Sequence, residues 1–122
     1  MNEQTYQDRP TLEQWNELVG SVPRIVCGSY TGDGVQMRTI EVGFTPKAVL
    51  LFPQNGVNYI SGSSAWYYGG LAATGNPAQI NDGRAFVEIV EGGFRVAQDP
   101  GGTTGGYRCT NERKVYNYIA IG

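Results

Sequence analysis

The sequence predicts an all-β fold: an antiparallel β-sandwich or barrel-like domain of about six to eight short strands, preceded by one short N-terminal helix. Three observations favour it. Glycine accounts for 18 of the 122 residues, which is about twice its usual share. Tyrosine is frequent, with eight residues, whereas leucine, on which helical domains depend, is scarce. Short apolar or alternating runs lie between glycine-containing turns, and this pattern is typical of short strands.

The chain divides into a polar arm, residues 1–23, and a glycine-rich β domain, residues 24–122. In the arm, Thr11 and Gln14 have the spacing of a helix-capping pair, and Gly20 is typical of a helix end. The helix predicted between them has one apolar face, formed by Leu12, Trp15, Leu18 and Val19. Because a helix of about nine residues is marginal in water, this face must be covered. We expect these four residues to contact either the chain's own β domain or a neighbouring subunit of a homo-oligomer.

Turn residues separate the strands of the β domain. The predicted strands are residues 24–30, 35–42, 47–52, 84–90, 94–98 and 114–121, with one or two more inside an irregular segment at residues 57–83. We expect Gly32-Asp33-Gly34 to join the first two strands as a tight hairpin, and Glu91-Gly92-Gly93 to join a second pair. Residues 99–110 are predicted to form a flexible loop, because glycine pairs recur in them.

Composition argues against several classes of function. Histidine is absent, which removes the commonest general base and the commonest metal ligand. The sequence contains no nucleophile elbow and no phosphate-binding loop, so we expect a non-enzymatic protein with no catalytic residues, cofactor or metal. A small hydrolase would need two carboxylates brought together across strands. Nine basic residues against eleven acidic ones do not favour nucleic-acid binding, and no apolar run is long enough for membrane insertion.

The two cysteines, Cys27 and Cys109, are expected to be free thiols, as in a reducing compartment. The alternative is a disulfide between them. Cys27 lies in the first predicted strand and Cys109 just before the last, so neighbouring terminal strands could bring them close. The N-terminal residues are polar and contain no apolar signal-peptide region. We therefore expect synthesis in a cytoplasm without secretion by a signal peptide.

An aromatic-rich segment is the most suggestive candidate for a binding site. Aromatic rings beside serine, asparagine and glycine form surfaces that stack on sugars or contact proteins. In an extended strand, Trp66 and Tyr68 would share one face and Tyr67 the other. The alternative is that Trp66 and Tyr68 fill the core of a leucine-poor domain. The residues predicted to contact a ligand or receptor are Asn55, Asn58, Tyr59, Trp66, Tyr67, Tyr68 and Tyr107.

Four segments of the β domain resemble, in sequence and in order, a β domain of tail-fibre and baseplate-associated proteins of tailed bacteriophages and prophages. The segments are GSYTGDG from Gly28, RTIEVGFTPKAVLLF from Arg38, GRAFVEIVEGGFRV from Gly83 and YNYIAIG from Tyr116. The resemblance covers roughly residues 24–122. Its matched positions are typical of turns and core, so it carries over no catalytic residue.

The resemblance implies a virion structural protein of the phage tail, baseplate or fibre, made in the cytoplasm of the bacterial host. It also implies a homo-oligomer, with a trimer favoured, that contacts other tail proteins and serves in host attachment by binding a surface receptor or saccharide. Fibres of this class usually carry long shafts, whereas this sequence has only a short arm before the β domain. A stand-alone carbohydrate-binding, lectin-like module is the alternative.

Overall fold

A computed structural model describes residues 11–13, 24–101 and 105–122 of the chain. Eleven short strands form within these residues, and all but one of their pairings are antiparallel. The all-β class is therefore confirmed, whereas the predicted number of strands is too low. The strands are β1 (Ile25–Thr31), β2 (Met37–Glu41), β3 (Ala48–Pro53), β4 (Tyr59–Ser61), β5 (Ala65–Tyr67), β6 (Gly70–Ala73), β7 (Ala78–Gln79), β8 (Ala85–Val90), β9 (Gly93–Ala97), β10 (Tyr107–Arg108) and β11 (Val115–Ile121).

Two four-stranded sheets pack on each other as a sandwich-like domain. The first has the strand order β1-β11-β3-β6 and the second the order β2-β9-β8-β7. A three-stranded sheet of order β10-β5-β4 completes the fold, and its β10–β5 pair is the parallel one.

The core lies between the two large sheets, because their strands turn alternate residues toward each other. The ring of Phe94 on β9 lies edge-on to that of Tyr118 on β11, with centroids 5.1 Å apart. Tyr30 on β1 stacks on Tyr116 at the same centroid distance. The other large buried side chains of this core include Ile40, Val49, Leu51, Phe86, Val87 and Val96.

The first predicted hairpin is wrong, whereas the second is confirmed. β1 pairs with β11 and β2 pairs with β9, so the chain crosses from one sheet to the other between them. A Cβ at Gly32 would lie 1.8 Å from the carbonyl oxygen of Glu112, so close backbone approach, rather than a tight turn, requires glycine there. The buried Asn111 side chain holds this crossing by donating to the carbonyl oxygen of Val35, at 3.0 Å. In the second hairpin, β8 pairs with β9 and Gly92 has a φ of 82°.

Two segments are more regular than their glycine content predicts. Residues 57–83 contain four strands, β4 to β7, rather than one or two. The predicted loop at 99–110 contains β10 and ends at the fully buried Thr110. The Thr110 hydroxyl donates to the carbonyl oxygen of Phe86 at 2.7 Å and accepts from the N–H of Ala97 at 2.9 Å. These two bonds fix the segment from the side chain, which glycine spacing does not predict.

The predicted N-terminal helix lies outside the described residues, apart from its first three. The contacts of Trp15, Leu18 and Val19 are therefore not described, and Leu12 is exposed. The prediction of two free thiols is confirmed, with Cys27 exposed and Cys109 buried. Among the described residues, no helix has the length and apolarity needed to cross a membrane.

Candidate binding site

The three-stranded sheet divides the aromatic candidates between its two faces. β4 pairs with β5 so that Tyr59 lies opposite Tyr67 and Ile60 lies opposite Trp66. β10 pairs with β5 on its other side, where Tyr107 lies opposite Trp66. Because residues directly opposite each other share a face, Ile60, Trp66 and Tyr107 lie on one side of the sheet, and Tyr59 and Tyr67 on the other.

Tyr59 and Tyr67 are packing residues. The ring of Tyr67 contacts the core residue Phe86, with centroids 5.3 Å apart. Tyr59 covers the Tyr67 ring at 5.1 Å and is itself 50% exposed. The alternation of the strand therefore separates these two tyrosines from Trp66, although all three lie in one aromatic-rich segment of sequence.

Trp66 and Tyr107 form an aromatic pair on the other face. Their rings are nearly parallel, 12° apart, with centroids at 5.8 Å. Both side chains are half-buried, and together with Tyr68 they line a cleft of about 370 Å³, which we call the Trp66 cleft. Its remaining lining residues are Gln98, Asp99, Gly101, Cys109 and Glu112. Three of the seven predicted contact residues thus meet at one site.

Two polar residues line the Trp66 cleft beside the aromatic pair. The side-chain oxygen of Gln98 is buried and has no hydrogen-bond partner among the described residues. A buried acceptor of this kind is costly to leave unpaired, so a donor that reaches it after rotation of the Gln98 side chain would stabilise it. The backbone N–H of Glu112 donates to the Tyr116 hydroxyl at 3.0 Å, and no described residue pairs with the Glu112 carboxylate.

Asp99, in contrast, is fully engaged by two arginines. Its side chain is 4% exposed; Arg108 donates to one carboxylate oxygen at 2.8 Å, and Arg84 to the other at 2.9 Å. Burial acts to raise the pKa of Asp99, but the hydrogen bonds from Arg108 and the charges of both arginines outweigh it. The pKa of Asp99 therefore lies below its usual range, and the group is an anion at neutral pH in the wall of the cleft.

The same two arginines position the strand that carries Tyr107. Arg108 donates to the carbonyl oxygen of Ala85 at 3.2 Å, and Arg84 donates to that of Gly106 at 3.1 Å. These bonds tie β10 to the start of β8. The geometry of the Trp66–Tyr107 pair thus depends on the ion-pair network beneath it.

Tyr68 and Cys109 complete the wall of the cleft without offering a nucleophile. Burial raises the pKa of the Cys109 thiol to about 11, so the thiolate is scarce at neutral pH. Burial also raises the pKa of Tyr68. The ammonium group of Lys114 lies 4.3 Å from the centroid of the Tyr68 ring, an arrangement that favours cation–π attraction.

The two predicted asparagines do not line the Trp66 cleft. Asn55 is exposed, and its side-chain oxygen accepts from the N–H of Val57 at 3.0 Å, which closes a turn. It lines a separate cleft of about 310 Å³ beside Lys114. Asn58 is half-buried, and its backbone oxygen accepts from the N–H of Tyr68 at 2.8 Å.

Sequence reasoning missed the polar half of the site. Gln98, Asp99 and Glu112 come next to Trp66 only because β10 adds to β5 in parallel, across a long stretch of intervening chain. No local pattern in the sequence marks such a pairing. Tyr107, an aromatic residue among glycines, was the only residue in this part of the sequence that indicated a binding site.

Comparisons of the chain with protein-family models, with curated proteins and with solved structures find no match. What the cleft binds is therefore inferred from its own residues. Within the ranges that the structure describes, no group of three or more cysteine, aspartate or glutamate side chains is placed to hold a metal ion.

Proposed function

We propose that this chain is a non-enzymatic component of a bacteriophage tail that binds a saccharide of the host surface in the Trp66 cleft. One observation carries the proposal: the nearly parallel rings of Trp66 and Tyr107 line the same cleft as the unpaired, buried oxygen of Gln98. An apolar platform and a residue with an unsatisfied acceptor thus line one space.

Sugars suit this combination because they carry two kinds of surface. The C–H groups on the face of a sugar ring pack on aromatic side chains, as other apolar groups do. The hydroxyl groups at its edge donate hydrogen bonds to amide and carboxylate oxygens. Trp66 and Tyr107 supply the first kind of contact. The Glu112 carboxylate supplies the second, and Gln98 adds to it once rotation of its side chain exposes the oxygen. The cleft lies near the lower end of the size range of small-molecule sites, which suits a short part of a glycan.

The state of the carboxylates favours binding over hydrolysis. Asp99 and Glu112 line the same cleft, a pair of acids that the sequence did not reveal. Glycoside hydrolysis needs one carboxyl group with a raised pKa, so that it can donate a proton. The pKa of Asp99 is lowered, so it is not that proton donor, and both of its oxygens accept hydrogen bonds from arginines, so it is not free to attack a sugar or a water either. This arrangement supports a non-catalytic role.

The assignment to a phage tail rests on the resemblance of the four segments. In the structure those segments contribute to β1, β2, β3, β8, β9 and β11, which are strands of the two large sheets. The cleft residues Trp66, Gln98 and Tyr107 lie outside all four segments. A shared sandwich that presents a separate site is the arrangement expected of a fibre or baseplate module, because function is carried by sites placed on common folds.

Replacement of Trp66 by alanine is expected to weaken saccharide binding by about tenfold or more. The substitution removes the larger ring of the platform, and a loss of about tenfold or more in affinity corresponds to at least about 1.4 kcal/mol. The measurement is binding of the purified chain to a panel of bacterial surface polysaccharides, followed by calorimetric titration of those that bind.

The matched control is Tyr59→Ala, which removes an exposed aromatic ring from the opposite face of the same sheet. This variant should keep the affinity of the original chain. No binding to any polysaccharide of a broad panel, or equal binding by the Trp66→Ala variant with its fold intact, would refute the saccharide site.

The molar mass in solution tests the tail assignment separately. A tail component of the kind that the sequence resembles should be a stable oligomer, with a trimer of about three times the 13.2 kDa chain mass favoured. Light scattering on the purified chain measures it. A monomer at every concentration would favour the stand-alone lectin-like module, and it would leave the saccharide site itself untouched.

A further inference from the structure

The Trp66 cleft is lined by two acidic side chains, and among the described residues no lysine or arginine lines it. The charge of one acid is already compensated, because the Asp99 carboxylate is buried and accepts from both Arg84 and Arg108. The other acid, Glu112, is half-buried, and no described residue pairs with its carboxylate. The Glu112 carboxylate is therefore the uncompensated charge of the cleft.

Lys114 does not serve as the counter-ion of Glu112. It lines the separate cleft beside Asn55, and in the part of the chain that the structure describes no ion pair joins it to Glu112. Burial is the main cause of the raised pKa of Tyr68 and of the Cys109 thiol, and the charge of Glu112 raises both further. Because such an effect falls off with distance, the Glu112 charge lies close to two walls of the Trp66 cleft.

The aromatic rings of the cleft favour the same kind of ligand charge. The face of an indole or phenol ring attracts a cation, and the indole of tryptophan does so most strongly. Trp66, Tyr68 and Tyr107 all line the cleft. The fold itself contains one such contact, since the Lys114 ammonium group lies 4.3 Å from the centroid of the Tyr68 ring. Three aromatic rings and an unpaired carboxylate thus line one space, and both kinds of group attract cations.

We propose that the saccharide bound in the Trp66 cleft carries a protonated amino group, which pairs with the Glu112 carboxylate while the sugar ring packs on Trp66 and Tyr107. This inference rests on the proposed function, since it names the class of sugar that the same site takes. A hydrogen bond from an ammonium group to a carboxylate is stronger than one from a neutral hydroxyl group. Partial burial of Glu112 strengthens the pair further, because water screens it less.

The same charge discriminates against acidic sugars. A carboxylate or phosphate group on the ligand would lie beside Glu112 without a basic partner in the described lining of the cleft. Like charges brought together in this way lower affinity and so contribute to specificity. We therefore expect a saccharide with free amino groups to bind more tightly than a neutral one, and an acidic one to bind least tightly.

The test compares two trisaccharides that differ in charge. One is the trimer of glucosamine, and the other is cellotriose, which has hydroxyl groups in place of the amino groups. At about pH 6 the amino groups are protonated. Calorimetric titration of the purified full chain should give an affinity for the glucosamine trimer that is higher than that for cellotriose by about tenfold or more.

Glu112→Gln removes the charge and keeps the length of the side chain. The backbone N–H of residue 112, which donates to the Tyr116 hydroxyl, is left in place, so the fold should be unchanged. The preference for the glucosamine trimer should then fall to about twofold or less. The matched control is Glu91→Gln, which removes the same charge at the exposed turn between β8 and β9 and should keep the full preference.

Equal affinities for the two trisaccharides, failure of both to bind, or a preference that Glu112→Gln leaves unchanged would overturn the inference. Failure of the proposed function has a different result, because no polysaccharide of the panel would then bind in a way that depends on Trp66. Binding that depends on Trp66 but not on an amino group of the ligand would preserve the saccharide site and overturn this inference alone.

Discussion

Replacement of Asp99 by asparagine is expected to lower the free energy of unfolding by about 3 kcal/mol. The substitution keeps the shape of the side chain but removes the charge on which Arg84 and Arg108 converge. Both guanidinium groups are mostly buried, so they would be left without their shared counter-ion. A loss of this size lowers the melting temperature by about 10 °C in a domain of this length.

Thermal and urea unfolding of the full chain measure this loss. The matched control is Asp82→Asn, since Asp82 is an exposed partner of the same Arg84. Exposed ion pairs contribute about 1 kcal/mol or less, so this variant should be nearly as stable as the original chain. Equal stability of the Asp99→Asn and Asp82→Asn variants would contradict the role given to the buried network.

The Asp99→Asn substitution should also change how the free energy of unfolding depends on pH. The pKa of Asp99 is lower in the folded chain than in the unfolded one, so folding favours the carboxylate. Its contribution is fully present above the unfolded pKa, at about pH 4, and is lost as the pH falls through the folded pKa. Asp33 and Asp82 also have lowered pKa values, and in the variant they still contribute to the pH dependence of stability. Asp99→Asn should therefore make the acid side of the stability curve shallower without flattening it.

Replacement of Gly32 by alanine is expected to have the second large effect, a loss of at least about 2 kcal/mol in the free energy of unfolding. The new Cβ would lie 1.8 Å from the carbonyl oxygen of Glu112, which is far too close for two non-bonded atoms. The backbone between β1 and β2 must move, or the segment around Glu112 must. Because Glu112 lines the Trp66 cleft, saccharide affinity should fall together with stability.

Gly62→Ala is the control for this prediction. The nearest atom to a Cβ at Gly62 is in the Trp66 ring at 3.6 Å, an ordinary contact distance. Chemical unfolding should show a change within about 0.5 kcal/mol for this variant. A Gly32→Ala variant as stable as Gly62→Ala would mean that the crossing between the sheets is not held as the structure shows.

The sequence was sufficient for the fold class because strand alternation and glycine turns are local signals. β3 and β11 follow the predicted limits closely, since wholly apolar or alternating runs mark them. The sequence predicted that β1 pairs with β2, and neighbouring terminal strands, as in the observed pairing of β1 with β11, entered only as the basis of a possible disulfide. The observed pairing depends on the close approach of Gly32 to Glu112, which are remote in sequence, and a turn-like Gly-Asp-Gly sequence gives the opposite expectation.

The aromatic half of the site could be predicted, and the polar half could not. Trp66 and Tyr68 fall on the same side of the chain by the two-residue period of a strand. Tyr107 was identifiable as an aromatic residue among glycines, but its position opposite Trp66 was not. Gln98 and Glu112 join them through the parallel pairing of β10 with β5, which has no signature in either short strand.

The indole N–H of Trp66 offers the most direct test of the proposed saccharide site. The chain contains two tryptophans, so a ¹H–¹⁵N spectrum has two indole signals, and a Trp15→Phe variant assigns them. During titration with a polysaccharide that binds, the Trp66 signal should shift progressively and saturate, while the Trp15 signal stays in place. Saturable binding that leaves the Trp66 signal unmoved would contradict a saccharide site in the Trp66 cleft.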